Sequence, residues 1–233
     1  MSLLWKDHKE LEGTHAFLGA STYHWLNYTN DILVERYNKH FAQDVGTIMH
    51  EMASTLIKNR IKINKGDKHL IDIRMAENCI PRNGYNPNYI LNVLVPFVND
   101  AIGFRMESEK VLFYDFLCYG TADVIQFYDI QKLLRIHDLK TGESKASFKQ
   151  LIIYAALFCL EYNISPFDIT TKLRLYQNIT LTEDEVNNLK DQHIDILDDC
   201  LEYTADPQII KDVMEKIKDS VNTIRISLGK EPR

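Results

Sequence analysis

Apolar positions in the first hundred residues recur at helical spacing. From Asp44, the segment VGTIMHEMASTLIKNR sets Val45, Ile48, Met49, Met52, Leu56 and Ile57 along one face of a helix. A short helix capped by Ser21 and running through Asn27 precedes it, and two more are predicted at about 68–78 and 86–102, parted by the turn-forming PRNGYNP. At Glu107 the texture changes. EKVLFYDFLCYGTADVIQFYDIQKLLRIHDLKTG is rich in branched and aromatic residues, with breaks at Tyr119-Gly120 and over 129–132, and predicts three consecutive antiparallel strands. A helix over 147–162 is stopped by Asn163 and Pro166. In ITTKLRLYQNI, Ile169, Thr171, Leu173 and Leu175 alternate with Thr170, Lys172, Arg174 and Tyr176, predicting a strand with one apolar face and one polar, basic face. Thr182 opens a capping box closed by Glu185 and predicts a helix to about Thr204; Asp206-Pro207 starts the last helix.

This order predicts one α/β domain over residues 1–233. A mainly helical portion (1–105) bears His50, a sheet and helix (106–180) follow, and C-terminal helices (181–233) close the chain. The expected architecture is a short mixed β-sheet flanked by helices, with the N-terminal helices arching over it.

The net charge of −6 argues against a molecule basic over its whole surface, so nucleic-acid contact would need a local basic groove. Cys79, Cys118, Cys159 and Cys200 are widely spaced and form no C-x-x-C pair, which points to buried free thiols rather than a zinc ribbon or a cluster motif. Charges at Lys6, Asp7, Lys9 and Glu10 interrupt the run a signal peptide would need, and no stretch approaches membrane-spanning length. A cytoplasmic protein with reduced cysteines and no membrane association is expected.

The candidate chemistry lies in IHDLKTG. Residues two apart on a strand share a face, so the Asp138 carboxylate and the Lys140 ammonium converge while His137 and Leu139 point away. Asp123, in the neighbouring YGTAD, brings a second carboxylate, and the backbone carbonyl of Leu139 a third oxygen, which suits a hard cation such as Mg²⁺. Alone, an Asp-x-Lys is common and equally describes a surface pair on an edge strand. Gln150 and Tyr154 lie one helical turn apart on the helix that follows, and His50, in GTIMHE, could complete a metal shell, notably for Mn²⁺. GTIMHE is not the zincin motif, because Ser54 stands where its second His would be. Glu109 reads equally as an outer carboxylate or as a solvated strand end.

The ordered series GTIMHE, GTAD, DLKTG and Q-x-x-x-Y, from about Thr47 to Tyr154, resembles the RecB-like branch of the PD-(D/E)XK nucleases, which includes stand-alone phage exonucleases; FLGASTYHWLNY also resembles the entry helix of many members. The resemblance implies a restriction-endonuclease-like core with His50, Asp123 and Asp138 as metal ligands, Lys140 as the catalytic lysine, and Gln150 with Tyr154 supporting substrate and lysine. Where the wider superfamily often has Glu, this chain has Asp138. Some members hold an iron–sulfur cluster through a tight cysteine group near the C-terminus; that group is missing here, so no cluster is expected.

The implied activity is Mg²⁺- or Mn²⁺-dependent hydrolysis of DNA from its ends, in recombination, repair or phage DNA processing, within a bacterial or phage-infected cytosol. The alternatives are an endonuclease of the same class and an inactive binding or assembly protein. Implied partners are DNA, a recombination or single-strand-binding protein, and further copies of the chain. Lys145, Lys149, Lys172 and Arg174 are candidate phosphate contacts, and Tyr23, Trp25 and Tyr28 could stack on unpaired bases.

Overall fold

The computed structural model describes residues 17–18, 20–142, 147–178 and 180–232. Its centre is a six-stranded mixed sheet ordered β1-β2-β3-β4-β6-β5, flanked by helices on both faces. The strands are β1 (Glu107–Asp115), β2 (Cys118–Tyr128), β3 (Leu133–Lys140), β4 (Thr170–Gln177), β5 (Ile194–Ile196) and β6 (Leu201–Thr204). β1, β2 and β3 form an antiparallel meander, β3 and β4 run parallel, and β6 pairs antiparallel with both β4 and β5. The parallel pair needs a crossover, supplied by helix α5 (Lys149–Tyr162).

A 3₁₀ helix (Ala20–Asn27) leads into α1 (Asn30–His40), capped by the Thr29 hydroxyl, and α2 (Ala42–Lys58). α3 (Lys68–Glu77) and α4 (Pro87–Gly103) complete the N-terminal half. The α2 stripe is buried as its periodicity predicts, apart from Met52, which is half-buried. α4 is apolar around most of its surface and lies in the core, its first turn held by Asn86 accepting from the amides of Asn88 and Tyr89. Together α2 and α4 cover one face of the sheet around Val124, Leu139 and Tyr176. α5 and α7 (Pro207–Ser227) cover the other around Leu112, Leu134, Ile136 and Leu175. β3, sandwiched between them, is buried at five of its eight positions, which is why its sequence runs apolar with little alternation.

Five expectations change. Of the four thiols only Cys159 and Cys200 are buried, while Cys79 is exposed and Cys118 half-buried. α1 had not been foreseen: its polar sequence, NDILVERYNKH, leaves most of its surface exposed and so carries little helical periodicity. The β1–β2 turn falls at Phe116-Leu117, and Gly120 lies inside β2. The helix begun by the Thr182 capping box is α6 (Glu183–Asp191) and stops far short of Thr204, since β5 and β6 follow; residues 181–233 therefore add two strands to the sheet as well as helices. The polar face of β4 is also covered. Tyr176 is fully buried there, and Arg174 donates to Glu202 of β6 (2.5 Å) and to Asp100 of α4 (2.6 Å). Lys172 reaches Glu202 Oε1 at 2.6 Å, Arg135 approaches Oε2 at 3.4 Å, and both Arg135 and Arg174 stack on Phe104.

Glu202 thus holds three cations on a largely buried face. Its lysine and arginine partners outweigh burial and bring its pKa down to about 2, from an ordinary 4.5. The stability this gives is complete above the unfolded-state pKa and is lost as pH falls toward the folded value. Glu202→Gln is expected to lower unfolding free energy at neutral pH by about 3 kcal/mol, because it leaves buried guanidinium charge uncompensated. Urea titrations at several pH values should show the loss shrinking between pH 4.5 and pH 2.

Candidate active site

The site forms where the sheet splits. β2 pairs with β3 only from Tyr128/Leu133 up to Val124/His137, whereas β1–β2 pairing continues to the Phe116-Leu117 turn and β3–β4 pairing to Lys140/Gln177. Beyond Val124 the two halves diverge, and β3 loses its β2 partner at Asp138, Leu139 and Lys140. The Leu139 N–H would be left unpaired, and Asp123 Oδ2 accepts it at 2.8 Å. β2 also reverses its faces across Asp123: Val124 packs with α2 and α4, while Ala122 packs beneath α5.

β1 bends at the same level. Ser108 opposes Val124 and Lys110 opposes Ala122, so Glu109 stands opposite Asp123, and its φ is +54°. Seven non-glycine residues have positive φ among the described residues; Arg60, Cys79, Arg105, Asn163 and His193 close helices and Lys132 closes the β2–β3 turn, which leaves Glu109 as the one within a strand. Left-handed backbone at a non-glycine residue costs on the order of 1 kcal/mol and collects at functional sites. Ligating atoms of His50, Glu109 and Asp123 lie within 4.8 Å of one another, with His50 Nδ1 3.3 Å from Asp123 Oδ1. α2 delivers His50 to this point because its buried neighbours Ile48 and Met49 anchor the opposite side of the helix.

Asp138 is 2 % exposed, and apart from the Lys140 ammonium, 2.8 Å away, its Oδ2 has no hydrogen-bond donor. Lys140 Nζ also donates to Gln150 Oε1 (2.8 Å), and Gln150 Nε2 donates to Tyr154 Oη (2.9 Å), so the first two turns of α5 fix the lysine. Burial, then the charge of Asp123, pushes the Asp138 carboxyl up to about 6 against the opposing pull of Lys140 and His50. Glu109 is raised by burial and by Asp123. His50 is lowered by burial and raised further by its hydrogen bond to Asp123 and by the charges of Asp123, Asp138 and Glu109, for a net upward shift. Carboxylates gathered against their own repulsion, one of them buried with only the Lys140 ammonium beside its Oδ2, form a donor set that a hard divalent cation fits.

His50, Glu109, Asp123, Asp138, Lys140, Gln150 and Tyr154 therefore share one locality, and of the two readings of Glu109 the geometry favours the outer carboxylate. Leu139 has a fully buried side chain, and its N–H positions Asp123. The proposed phosphate contacts fare differently. Lys172 and Arg174 point to the face opposite Lys140 and are taken up by Glu202 and Asp100, which removes them from any phosphate track. Lys149 lines a groove between α5 and α7, and Lys145 lies outside the described residues. Tyr28 carries Arg36 over its ring, and Tyr23 is exposed. Among the described residues the cations beside the site are instead Lys58 and Arg74, in a cleft of about 790 Å³ along α2 that also includes Thr47, His50, Ser54 and Glu109.

Two glycines lie in close approach within this assembly. A Cβ on Gly120 would fall 2.9 Å from Tyr154 Cε1, and one on Gly46 3.1 Å from Thr141 Oγ1 at the end of β3. A glycine inside a strand pattern signals such close approach, so Gly120 in YGTAD could have been read this way.

No family model matches the chain, and neither curated proteins nor solved structures provide a match. No helix among the described residues is long and apolar enough to cross a membrane.

Gly120→Ala is expected to destabilise the fold by about 1–3 kcal/mol through collision with Tyr154, and Tyr154→Ala in the same chain should recover most of that loss in a denaturation double-mutant cycle. Millimolar Mn²⁺ should raise the melting temperature of the native chain by several degrees. Asp123→Asn, which keeps an acceptor for the Leu139 N–H, should abolish that rise, and Glu109→Gln should reduce it.

Proposed function

We propose that the chain is a divalent-metal-dependent deoxyribonuclease with a restriction-endonuclease-like core of the PD-(D/E)XK kind. The observation that carries this reading is the convergence, at one split in the sheet, of Asp123, Asp138 and Lys140 with His50 from α2 and the Gln150–Tyr154 pair from α5. Asp123, Asp138 and His50 would hold Mg²⁺ or Mn²⁺, with Glu109 beside them. When bound, the cation supplies positive charge at a phosphodiester and favours ionisation of water.

The chain's own groups perform the remaining work. Lys140, held between Asp138 and Gln150, places its ammonium where negative charge grows on the phosphoryl oxygens and where an attacking water must be oriented. Gln150, braced by Tyr154, limits the lysine to that position. Asp123 keeps one oxygen on the Leu139 amide and directs the other toward His50, so its orientation is set before substrate arrives.

Hydrolysis from DNA ends is the preferred mode, and endonucleolytic cutting is separated from it by a closed circular substrate, which an exonuclease leaves intact. Purified protein with Mg²⁺ or Mn²⁺ is expected to degrade linear DNA. Asp138→Ala and Lys140→Ala should each reduce the rate by at least about 10²-fold, while folding as judged by circular dichroism persists. Undiminished cleavage by both variants would remove the assignment.

A further inference from the structure

α7 presents a line of apolar side chains along its length. Ile209, Val213, Ile217, Val221 and Ile224 follow one another at intervals of three or four residues, and Ile152 and Ile153 of α5, with Leu117 from the β1–β2 turn and Cys118 at the start of β2, form the opposite wall. The resulting groove encloses about 540 Å³. From Ile209 to Ile224 it extends for about 22 Å at the helical rise. Its apolar lining is not merely residual core. Leu117 is 48 % exposed, Ile153 42 %, Ile209 40 % and Ile224 44 %, so large aliphatic side chains face solvent around a floor formed by the buried Ile217 and Val221.

Charge decides what such a strip would accept. Among the described residues the groove's lining includes two lysines, Lys149 and Lys216, and no carboxylate, on a chain whose net charge is −6. Both lysines are exposed. A second copy of this chain, docked groove to groove about a two-fold axis, would bring the same two cations against their equivalents. An apolar partner without charge would leave them unanswered. Complementarity is met by a segment that alternates aliphatic or aromatic side chains with carboxylates, the former filling the strip and the latter meeting the lysines. We propose that the α5–α7 groove is a docking site for a short acidic, apolar peptide segment of a partner protein. About seven extended residues span its length. The site needs neither metal nor the chemistry proposed above, and its lining does not include Gln150 or Tyr154, which are engaged with Lys140.

The test uses the full chain and a fluorescein-labelled peptide of about ten residues in which Asp alternates with Phe, Ile and Leu, beside a version with Lys in place of every Asp. Anisotropy titration at low salt is expected to give micromolar binding of the acidic peptide, at least tenfold weaker binding of the lysine peptide, and a decline as salt is raised. Lys216→Glu, a change on an exposed position, should weaken the acidic peptide about tenfold and favour the lysine peptide. Ile209→Glu should abolish binding of the acidic peptide while its melting temperature confirms folding. Equal binding of the two peptides, no binding of the acidic one, or indifference to both substitutions would overturn the proposal. So would a concentration-dependent dimer in sedimentation that Ile209→Glu dissociates, which would assign the groove to a second copy. DNA cleavage assayed in parallel should be unchanged in Lys216→Glu, so failure here and failure of the nuclease reading are separately visible.

Discussion

The structure depends on one backbone amide. Where β2 and β3 part, the Leu139 N–H faces a buried gap that no strand fills, and a buried donor without a partner costs about 1–3 kcal/mol. The Asp123 carboxylate occupies that gap and accepts the bond. The split in the sheet and the placement of a carboxylate within it are therefore one event. Only because the strands diverge do Asp138 and Lys140 lie free of a β2 neighbour, and only because Asp123 closes the divergence does the sheet tolerate it. α5 then packs beside the opening, with Gly120 leaving room for the Tyr154 ring, and the Gln150–Tyr154 pair reaches Lys140.

Rigidity follows from the two hydrophobic clusters on either face. Val124, Leu139 and Tyr176 tie the strands to α2 and α4, while Leu134, Ile136 and Leu175 tie them to α5 and α7. Each side chain of the site thus extends from an element pinned on a separate face, and their meeting point is fixed by close-packed cores rather than by loops. The positive φ of Glu109 fits this picture: β1 must follow β2 through its reversal of faces, and the strain is placed where a carboxylate gains proximity to His50 and Asp123.

Much of this was legible in the sequence, for physical reasons that differ from element to element. The α2 stripe, the three-strand meander and α5 announce themselves because each buries a distinct face, and Asp138 with Lys140 follow from strand alternation alone. β5 and β6 were hidden: they are short, polar at Asp195 and Glu202, and follow a strong capping box whose helix the local sequence invites to continue. The basic face of β4 misled because alternation shows which side chains share a face but not what covers it. Glu202, far along the chain, turns Lys172 and Arg174 from surface cations into an internal network. Local sequence also gives no sign of the divergence at Asp123, since a split between strands is a property of pairing, and pairing is non-local.

The electrostatics of the site bear on how a polyanion could reach it at all. With Arg135, Lys172 and Arg174 paired to Glu202 and Asp100, and with a net charge of −6, these cations offer little positive field to a polyanion. Around the split, Glu109, Asp123 and Asp138 outnumber Lys140 and would repel phosphate, while Arg74 in the adjoining cleft is shared with Glu51 and Glu77. The local sign reverses only when the carboxylates hold a cation. In the proposed nuclease, then, metal would be required for substrate to bind productively as well as for the bond to break. With Lys58 among few cations near the opening in the described residues, affinity from these would come from a handful of phosphate contacts and decline gently with salt, unlike that of a protein that grips duplex DNA along an extended basic surface.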